Sequence, residues 1–133
     1  MYYQDSPLRT VSCFDLDINN EEISNRNEVI SLPEGIWNPD GNTIDEDGMV
    51  WIAHFGGACV SRWNPHTGQM IKKIEFPAYN VTSIAFGGEN LDELYITTAS
   101  ILPPGKEKIY TDARKLFVCK PGLKGIKVNY FSK

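Results

Sequence analysis

The sequence predicts an all-β protein built from short antiparallel strands. Segments rich in β-branched and aromatic residues recur along the chain, and clusters of Gly, Pro, Asn and Asp separate them at short intervals. In addition, no window places apolar residues at the spacing of an amphipathic helix. These observations together favour strands joined by tight turns over any helical or mixed class.

Polar turn residues delimit the first predicted strands. A short aromatic strand, Tyr2–Tyr3, opens the chain. The longer strands Thr10–Asp15 and Glu28–Leu32 follow, and the turn 17–20, which contains Asp and two Asn, connects them. We therefore expect antiparallel pairing in this part of the chain.

The middle of the chain has the clearest alternation of strands and turns. Its turns are centred on Gly, Asp or Pro at 47–48, 56–57 and 64–68. The strands predicted between them are Thr43–Ile44, Val50–Ala53, Cys59–Trp63 and Met70–Phe76.

The last part of the chain repeats this organisation with one longer loop. Residues 101–115 contain Pro103-Pro104-Gly105 and form an insertion between two strands. The strands predicted here are Val81–Phe86, Leu94–Ala99, Leu116–Cys119 and Ile126–Tyr130.

Self-similarity indicates which all-β architecture these strands form. Tyr2-Tyr3, Val50-Trp51 and Leu94-Tyr95 each begin a short strand that leads into a second and a third strand. The repeat is roughly 45 residues, the length of a four-stranded propeller blade. The sequence thus predicts an arc of a β-propeller, about two and a half to three blades of four-stranded antiparallel sheet. A β-sandwich is the alternative.

Composition excludes several functional classes. The formal charge of the 133 residues is −4 and the basic residues are scattered, which argues against nucleic-acid binding. No apolar run approaches the roughly 18 residues of a membrane span, and the N-terminus does not resemble a signal peptide, so we expect a cytoplasmic protein without membrane contact. The three cysteines, Cys13, Cys59 and Cys119, lack a Cys-x-x-Cys pair and are predicted to be reduced.

Asp40 is the first residue to test for chemistry. It lies in the run Asn38-Pro39-Asp40-Gly41 ahead of a predicted strand, where loops of β proteins often carry functional groups. Taken alone, a Pro-Asp-Gly sequence is more often only a turn. A metal or acid/base site also needs partners, and nothing adjacent in the sequence supplies them.

Other chemical interpretations of the sequence have weaker support. The acidic run 45–48 does not match a calcium-binding EF-hand loop, because Gly48 arrives too early and Gly56 occupies the twelfth position, so we predict a solvated hairpin turn. His54 and His66 do not form a metal-binding pair on a helix, although His54 follows a strand and could approach a central channel. His66 is expected to be an exposed turn residue.

Three ordered motifs carry a more specific signal. They are Tyr2-Tyr3-Gln4-Asp5-Ser6, then Pro39-Asp40-Gly41 with Trp51-Ile52-Ala53, and finally Phe86-Gly87-Gly88 with Leu94-Tyr95-Ile96-Thr97-Thr98-Ala99. In this order and spacing they resemble consecutive blade signatures of the senescence-marker-protein (regucalcin)/gluconolactonase family. The resemblance covers essentially the whole chain and corresponds to the C-terminal half of a family member. It divides the chain into the outer strands of one blade (1–33), the penultimate blade (34–77) and the last blade (78–133).

The resemblance implies a six-bladed propeller that holds one divalent cation (calcium, zinc, manganese or magnesium) in its central channel. It further implies an enzyme that opens sugar lactones. The Asp of the family's Pro-Asp-Gly turn is a metal ligand and the general base, and it maps onto Asp40. The family's other ligands, a Glu and an Asn, have no counterpart in this sequence.

We therefore expect the C-terminal part of a metal-dependent lactonase that is incomplete as an enzyme on its own. Two alternatives remain open: a calcium-binding regulatory propeller without catalysis, and a non-catalytic scaffold. Because an arc of blades leaves strand edges unpaired, self-association is also expected.

Overall fold

Residues 1–33, 37–106 and 109–128 are described by the structure, a computed structural model, and they form three antiparallel sheets. The first sheet contains β1 (Tyr2–Asp5), β2 (Thr10–Asp17) and β3 (Glu22–Ser31), in that order. The second contains β4 (Asn38–Ile44), β5 (Val50–Phe55), β6 (Cys59–Asn64) and β7 (Gln69–Glu75). The third contains β8 (Val81–Gly87), β9 (Glu93–Thr98) and β10 (Phe117–Cys119).

The all-β prediction is confirmed, since the described residues contain strands, turns and loops only. Within this part of the chain there is consequently no helix long and apolar enough to cross a membrane. The expected cytoplasmic location stays a prediction, as do the proposed blade boundaries at 33/34 and 77/78.

One predicted strand is not formed. We expected a strand at Ile126–Tyr130, but 126–128 are irregular and the last two positions lie outside the described residues. Ile126 is 50% exposed and Val128 is 73% exposed, so their alternation of apolar side chains has no sheet to pack against. The chain just before them instead returns to the second sheet, where Gly125 forms a bridge with Asp45.

The hydrophobic core consists of two clusters on opposite faces of the second sheet. Side chains alternate along β5, so Val50 and Ile52 point to one face while Trp51 and Ala53 point to the other. The first pair packs against Val11 of the first sheet. The second pair packs against the third sheet. Burial of a large apolar side chain stabilises a fold by about 1.5–3 kcal/mol. Because β5 contributes such side chains to both clusters, it is the centre of the fold.

This layering places β4 and β8 side by side. They are in close contact at Gly41 and Ser83, where a Cβ added to Gly41 would lie 2.7 Å from the Ser83 Cα. Only glycine allows two backbones to come this near each other. The beginning of β4, which carries Asp40, is therefore held against the beginning of β8.

Candidate functional site

Asp40 lies in a β-bulge near the start of β4. Pro39 pairs with His54 and Asn42 pairs with Ile52, so two residues of β4 oppose the single residue Ala53 of β5. A bulge of this type bends the strand and redirects side chains, and bulges are common beside active sites. We call residues 39–42 the Asp40 bulge.

The main chain of the Asp40 bulge is bonded to the first sheet. The Ser6 Oγ donates a hydrogen bond of 2.6 Å to the carbonyl oxygen of Pro39, and the Gln4 Nε2 donates to the carbonyl oxygen of Asp40. On the third sheet's side, Gly41 packs directly on Ser83. The bulge is thus in contact with both neighbouring sheets.

The Asp40 carboxyl group is half-buried, and this burial raises its pKa above the ordinary value of 3.8. Among the described residues, no hydrogen bond or ion pair engages this carboxylate, and burial is the only cause of the shift. The group consequently retains its full capacity to bind a cation or to accept a proton.

In the described part of the chain, Asp40 has no companions that would complete a metal site. Within residues 1–33, 37–106 and 109–128, no group of three or more His, Cys, Asp and Glu side chains comes together. The chain therefore presents one candidate ligand in its described part. The predicted roles of Asp40 as metal ligand and general base stay predictions.

His54 is not available to a channel or a ligand. Its ring is fully buried, its Nε2 lies 2.5 Å from the Ser61 Oγ, and the Trp37 ring packs on it at a centroid distance of 5.0 Å. Burial, together with the positive charges of Arg9 and Lys73, lowers the pKa of His54 to about 4. It is a neutral core residue. His66 is exposed in the β6–β7 turn, as expected.

The acidic run 45–48 is a structural turn, in agreement with the hairpin prediction, but it is more buried than expected. Asp45 has no exposed surface and accepts hydrogen bonds from the Trp51 Nε1 at 2.8 Å and the Arg62 Nε at 2.6 Å. Backbone N–H groups of Asp47 and Met49 also donate to it, each at 3.0 Å. Its carboxylate is therefore fully engaged and cannot bind a metal.

The cysteines are free, as predicted. Cys59 is buried, and this burial raises the pKa of its thiol to about 11. A thiol with such a pKa is protonated at neutral pH and is a poor nucleophile. We assign no catalytic role to Cys59.

Two contacts of the site had no signal in the sequence. Gln4 and Ser6 reach the Asp40 bulge from more than thirty positions away, and neither residue belongs to a motif with a known chemical role. Their motif, Tyr2–Ser6, predicted a strand and contributed to the family resemblance, but it did not predict a contact with Asp40. Contacts between separate sheets depend on how the sheets stack, which a local pattern does not encode.

Comparison with known proteins agrees with the fold and the motifs. Residues 1–100 match the family model described as the SMP-30/gluconolactonase/LRE-like region. The chain is 41% identical over 100 residues to regucalcin of Danio rerio, covering 75% of this chain and 34% of the relative. It is 40% identical over 108 residues to YvrE of Bacillus subtilis, named as a candidate sugar lactone lactonase, covering 81% of this chain and 37% of that protein.

The structural comparison gives the same answer. A solved luciferin-regenerating enzyme superposes with a TM-score of 0.83 at 34% identity, covering 95% of this chain and 43% of the enzyme. The predicted partial β-propeller is confirmed by this match. The chain spans less than half the length of each of these relatives. With three quarters of its residues matched by the family model, the chain belongs to the SMP-30/gluconolactonase/LRE-like family.

Proposed function

We propose that this chain is part of a divalent-metal-dependent lactonase acting on sugar lactones, and that Asp40 is both a metal ligand and the general base. One observation carries the proposal. The Asp40 carboxylate sits on a bulge held between two sheets, half-buried, with no hydrogen-bond or ion-pair partner among the described residues. Membership of a family that includes gluconolactonases supports the choice of substrate class.

The donor chemistry of Asp40 fits a hard divalent cation. Carboxylate oxygens are preferred ligands of calcium, magnesium and manganese, and zinc also accepts them. The described residues provide one such ligand, and a metal centre needs several. The remaining ligands in this proposal come from outside the described residues, which is why we expect the chain to be a weak catalyst on its own.

The proposed reaction assigns Asp40 one further task. Asp40 would contribute one ligand to a divalent cation, which when bound would supply polarisation of a lactone carbonyl group. Asp40 takes a proton from the water that attacks this carbonyl, as a general base does. In the metal-free chain, burial raises the pKa of the Asp40 carboxyl group above its ordinary value. The bulge keeps the carboxylate in one place during the proton transfer.

A calcium-binding protein without turnover is the second candidate. The observation that favours it is that the described residues contain no cluster of three or more His, Cys, Asp and Glu side chains around Asp40, from which a multi-residue catalytic site could be built. Such a protein would bind the cation through Asp40 and leave lactones intact. Metal titration combined with a lactone assay separates the two candidates.

A chimera tests the lactonase proposal directly. The 108 residues that align with Bacillus subtilis YvrE at 40% identity would replace the corresponding segment of that protein, and lactone hydrolysis would be followed with added manganese or calcium. We expect hydrolysis by the chimera and a loss of at least a hundredfold in kcat for Asp40→Asn, since both metal binding and proton transfer are affected.

The matched control is Glu28→Gln, which neutralises an exposed carboxylate of β3 in the same way. It should leave hydrolysis unchanged. Hydrolysis that survives Asp40→Asn would reject the proposed role of Asp40. Cation binding lost in Asp40→Asn, in a chimera that never hydrolyses a lactone, would favour the calcium-binding candidate.

A further inference from the structure

Two side chains of the first sheet bind consecutive carbonyl groups of the Asp40 bulge. The hydroxyl of Ser6, in the turn after β1, donates to Pro39, and the amide of Gln4, in β1 itself, donates to Asp40. Both bonds cross from one sheet to the next. They are unlike the ladder bonds within a sheet, because they fix the bulge relative to a neighbouring sheet.

One of these carbonyl groups belongs to Asp40, which the bulge leaves out of the β4–β5 register, and the other belongs to Pro39, which pairs with His54 at the edge of the bulge. A bulge disrupts the regular pairing of its strand, and unpaired backbone carbonyls in a partly buried place need another donor. Without Ser6 and Gln4, the two carbonyl groups would lose the side-chain donors that hold them and would be free to turn toward water. The main chain that carries the Asp40 side chain would turn with them.

The contact between the Gln4 amide and the Asp40 carbonyl is accompanied by an unfavourable burial of the other polar atom of that amide. Its Nε2 is bonded to Asp40, while its Oε1 is buried and has no partner among the described residues. An unpartnered buried acceptor is destabilising, and an apolar side chain at the same position would avoid it. The amide is therefore better explained by what its donor does for the bulge than by packing.

Movement in the opposite direction is blocked by the third sheet. Gly41 is packed so closely on Ser83 that the bulge cannot shift toward β8. The bonds from Gln4 and Ser6 prevent it from turning within the remaining space. The carboxylate is thus confined by residues of three sheets.

We propose that Gln4 and Ser6 are positioning residues, which hold the Asp40 bulge so that its carboxylate points in one direction. Neither residue touches the reacting atoms. The importance of this arrangement for catalysis rests on the proposed function. The confinement of the bulge is independent of that function, because it follows from the contacts alone.

Amide hydrogen exchange, measured by NMR on the metal-free 133-residue chain, tests the confinement. Ser6→Ala and Gln4→Leu each remove one donor, and we expect exchange at Asp40, Gly41 and Asn42 to accelerate roughly fivefold for each lost bond. Exchange at Ile52 and Val60 in the core should not change. Ser6→Thr keeps the hydroxyl and should restore the slow exchange.

Two results would overturn the proposal. One is unchanged exchange in the bulge of both variants. The other is equal acceleration in the bulge and the core, which would mean that the two residues only support overall stability. Ser6 is exposed, so Ser6→Ala leaves the chain folded and the test remains decisive even if Gln4→Leu does not fold.

A second measurement separates this inference from the proposed function. Added manganese broadens the NMR signals of nearby amides, and we expect broadening at 40–42 that is lost in Asp40→Asn and weakened severalfold in Ser6→Ala. Broadening that persists in Asp40→Asn would reject Asp40 as a ligand, while the exchange data would still decide whether Gln4 and Ser6 hold the bulge.

Discussion

Gly41 of β4 and Ser83 of β8 are in backbone contact: a methyl group on Gly41 would lie 2.6 Å from the Ser83 Oγ and 2.7 Å from the Ser83 Cα. Flexible side chains can move away from such a clash, but a Cα atom cannot move without its strand. The glycine of the Pro-Asp-Gly run is therefore required by the stacking of two sheets.

We expect Gly41→Ala to lower the free energy of unfolding by roughly 1–3 kcal/mol, because the two strands must separate to admit the methyl group. Urea unfolding followed by tryptophan fluorescence measures this loss. The control is Gly48→Ala, which has nothing within 4 Å and only the strain of its positive φ of 77°. Ser83→Gly should restore little of the loss, because the Ser83 Cα stays in place, and a loss in Gly41→Ala no greater than that in Gly48→Ala would contradict the clash.

Asp45 should be the most sensitive charged residue of the chain. It is fully buried and bonded to Arg62 and Trp51, so Asp45→Ala leaves a buried guanidinium without its partner and should lower stability by about 3–5 kcal/mol. Asp47 also pairs with Arg62, at 2.7 Å, but is 57% exposed. Asp47→Ala should therefore cost less than about 1 kcal/mol. Similar losses in both variants would contradict this account.

The pKa of the Asp45 carboxyl group determines the direction in which the stability of the fold changes in acid. Burial alone would raise the pKa of Asp45, but the hydrogen bonds from Arg62 and Trp51 outweigh it and hold the pKa below 3.8. A pKa lower in the folded than in the unfolded state stabilises the fold above the unfolded value. This contribution is lost as the pH falls below 3.8 and through the folded pKa. Unfolding of the wild type and of Asp45→Asn should converge in acid.

His54 should make the fold sensitive to a milder range of pH. Its pKa is about 4 in the folded chain against 6.5 as the ordinary value, so the unfolded chain takes up the proton first as the pH falls. Stability is full above pH 6.5 and declines progressively down to about pH 4, with a loss of about 2 kcal/mol between pH 6.5 and 5. Urea unfolding at these two pH values should show the loss in the wild type and not in His54→Gln.

Self-association is expected because the outer faces of the first and third sheets meet no other element of the described residues. Tyr3 on the first sheet is 52% exposed and Val118 on the third is 56% exposed. We expect sedimentation velocity to show oligomers at micromolar concentration, and Val118→Lys to shift the chain toward monomer by placing a charge on that face. A wild-type monomer throughout this range would contradict the prediction.

Features that depend on neighbouring residues could be predicted from the sequence, whereas features that depend on contacts between distant residues could not. Strand positions could be predicted because alternation and turn residues are local, and β5 and β6 were located within one or two residues. Ile126–Tyr130 has the same local pattern, but the structure provides no partner strand for 126–128, so the prediction was wrong there. Alternating apolar residues predict a strand correctly only where another sheet covers the apolar face of that strand.

The site shows the same limit. Asp40 could be chosen from its run of residues, whereas Gln4 and Ser6 contact it across a sheet boundary that no local pattern specifies. Arg62 was likewise invisible as the partner of Asp45, because the ion pair depends on which face of β6 points toward the turn. His54 could be placed at a strand end but not recognised as buried.

β5 supplies side chains to both hydrophobic clusters. The first and third sheets therefore both pack against β5 of the second sheet, and neither can separate from it without exposing the apolar residues of β5 to water. The chain should melt in a single cooperative transition, with calorimetric and van't Hoff enthalpies that agree, even though it contains three distinct sheets.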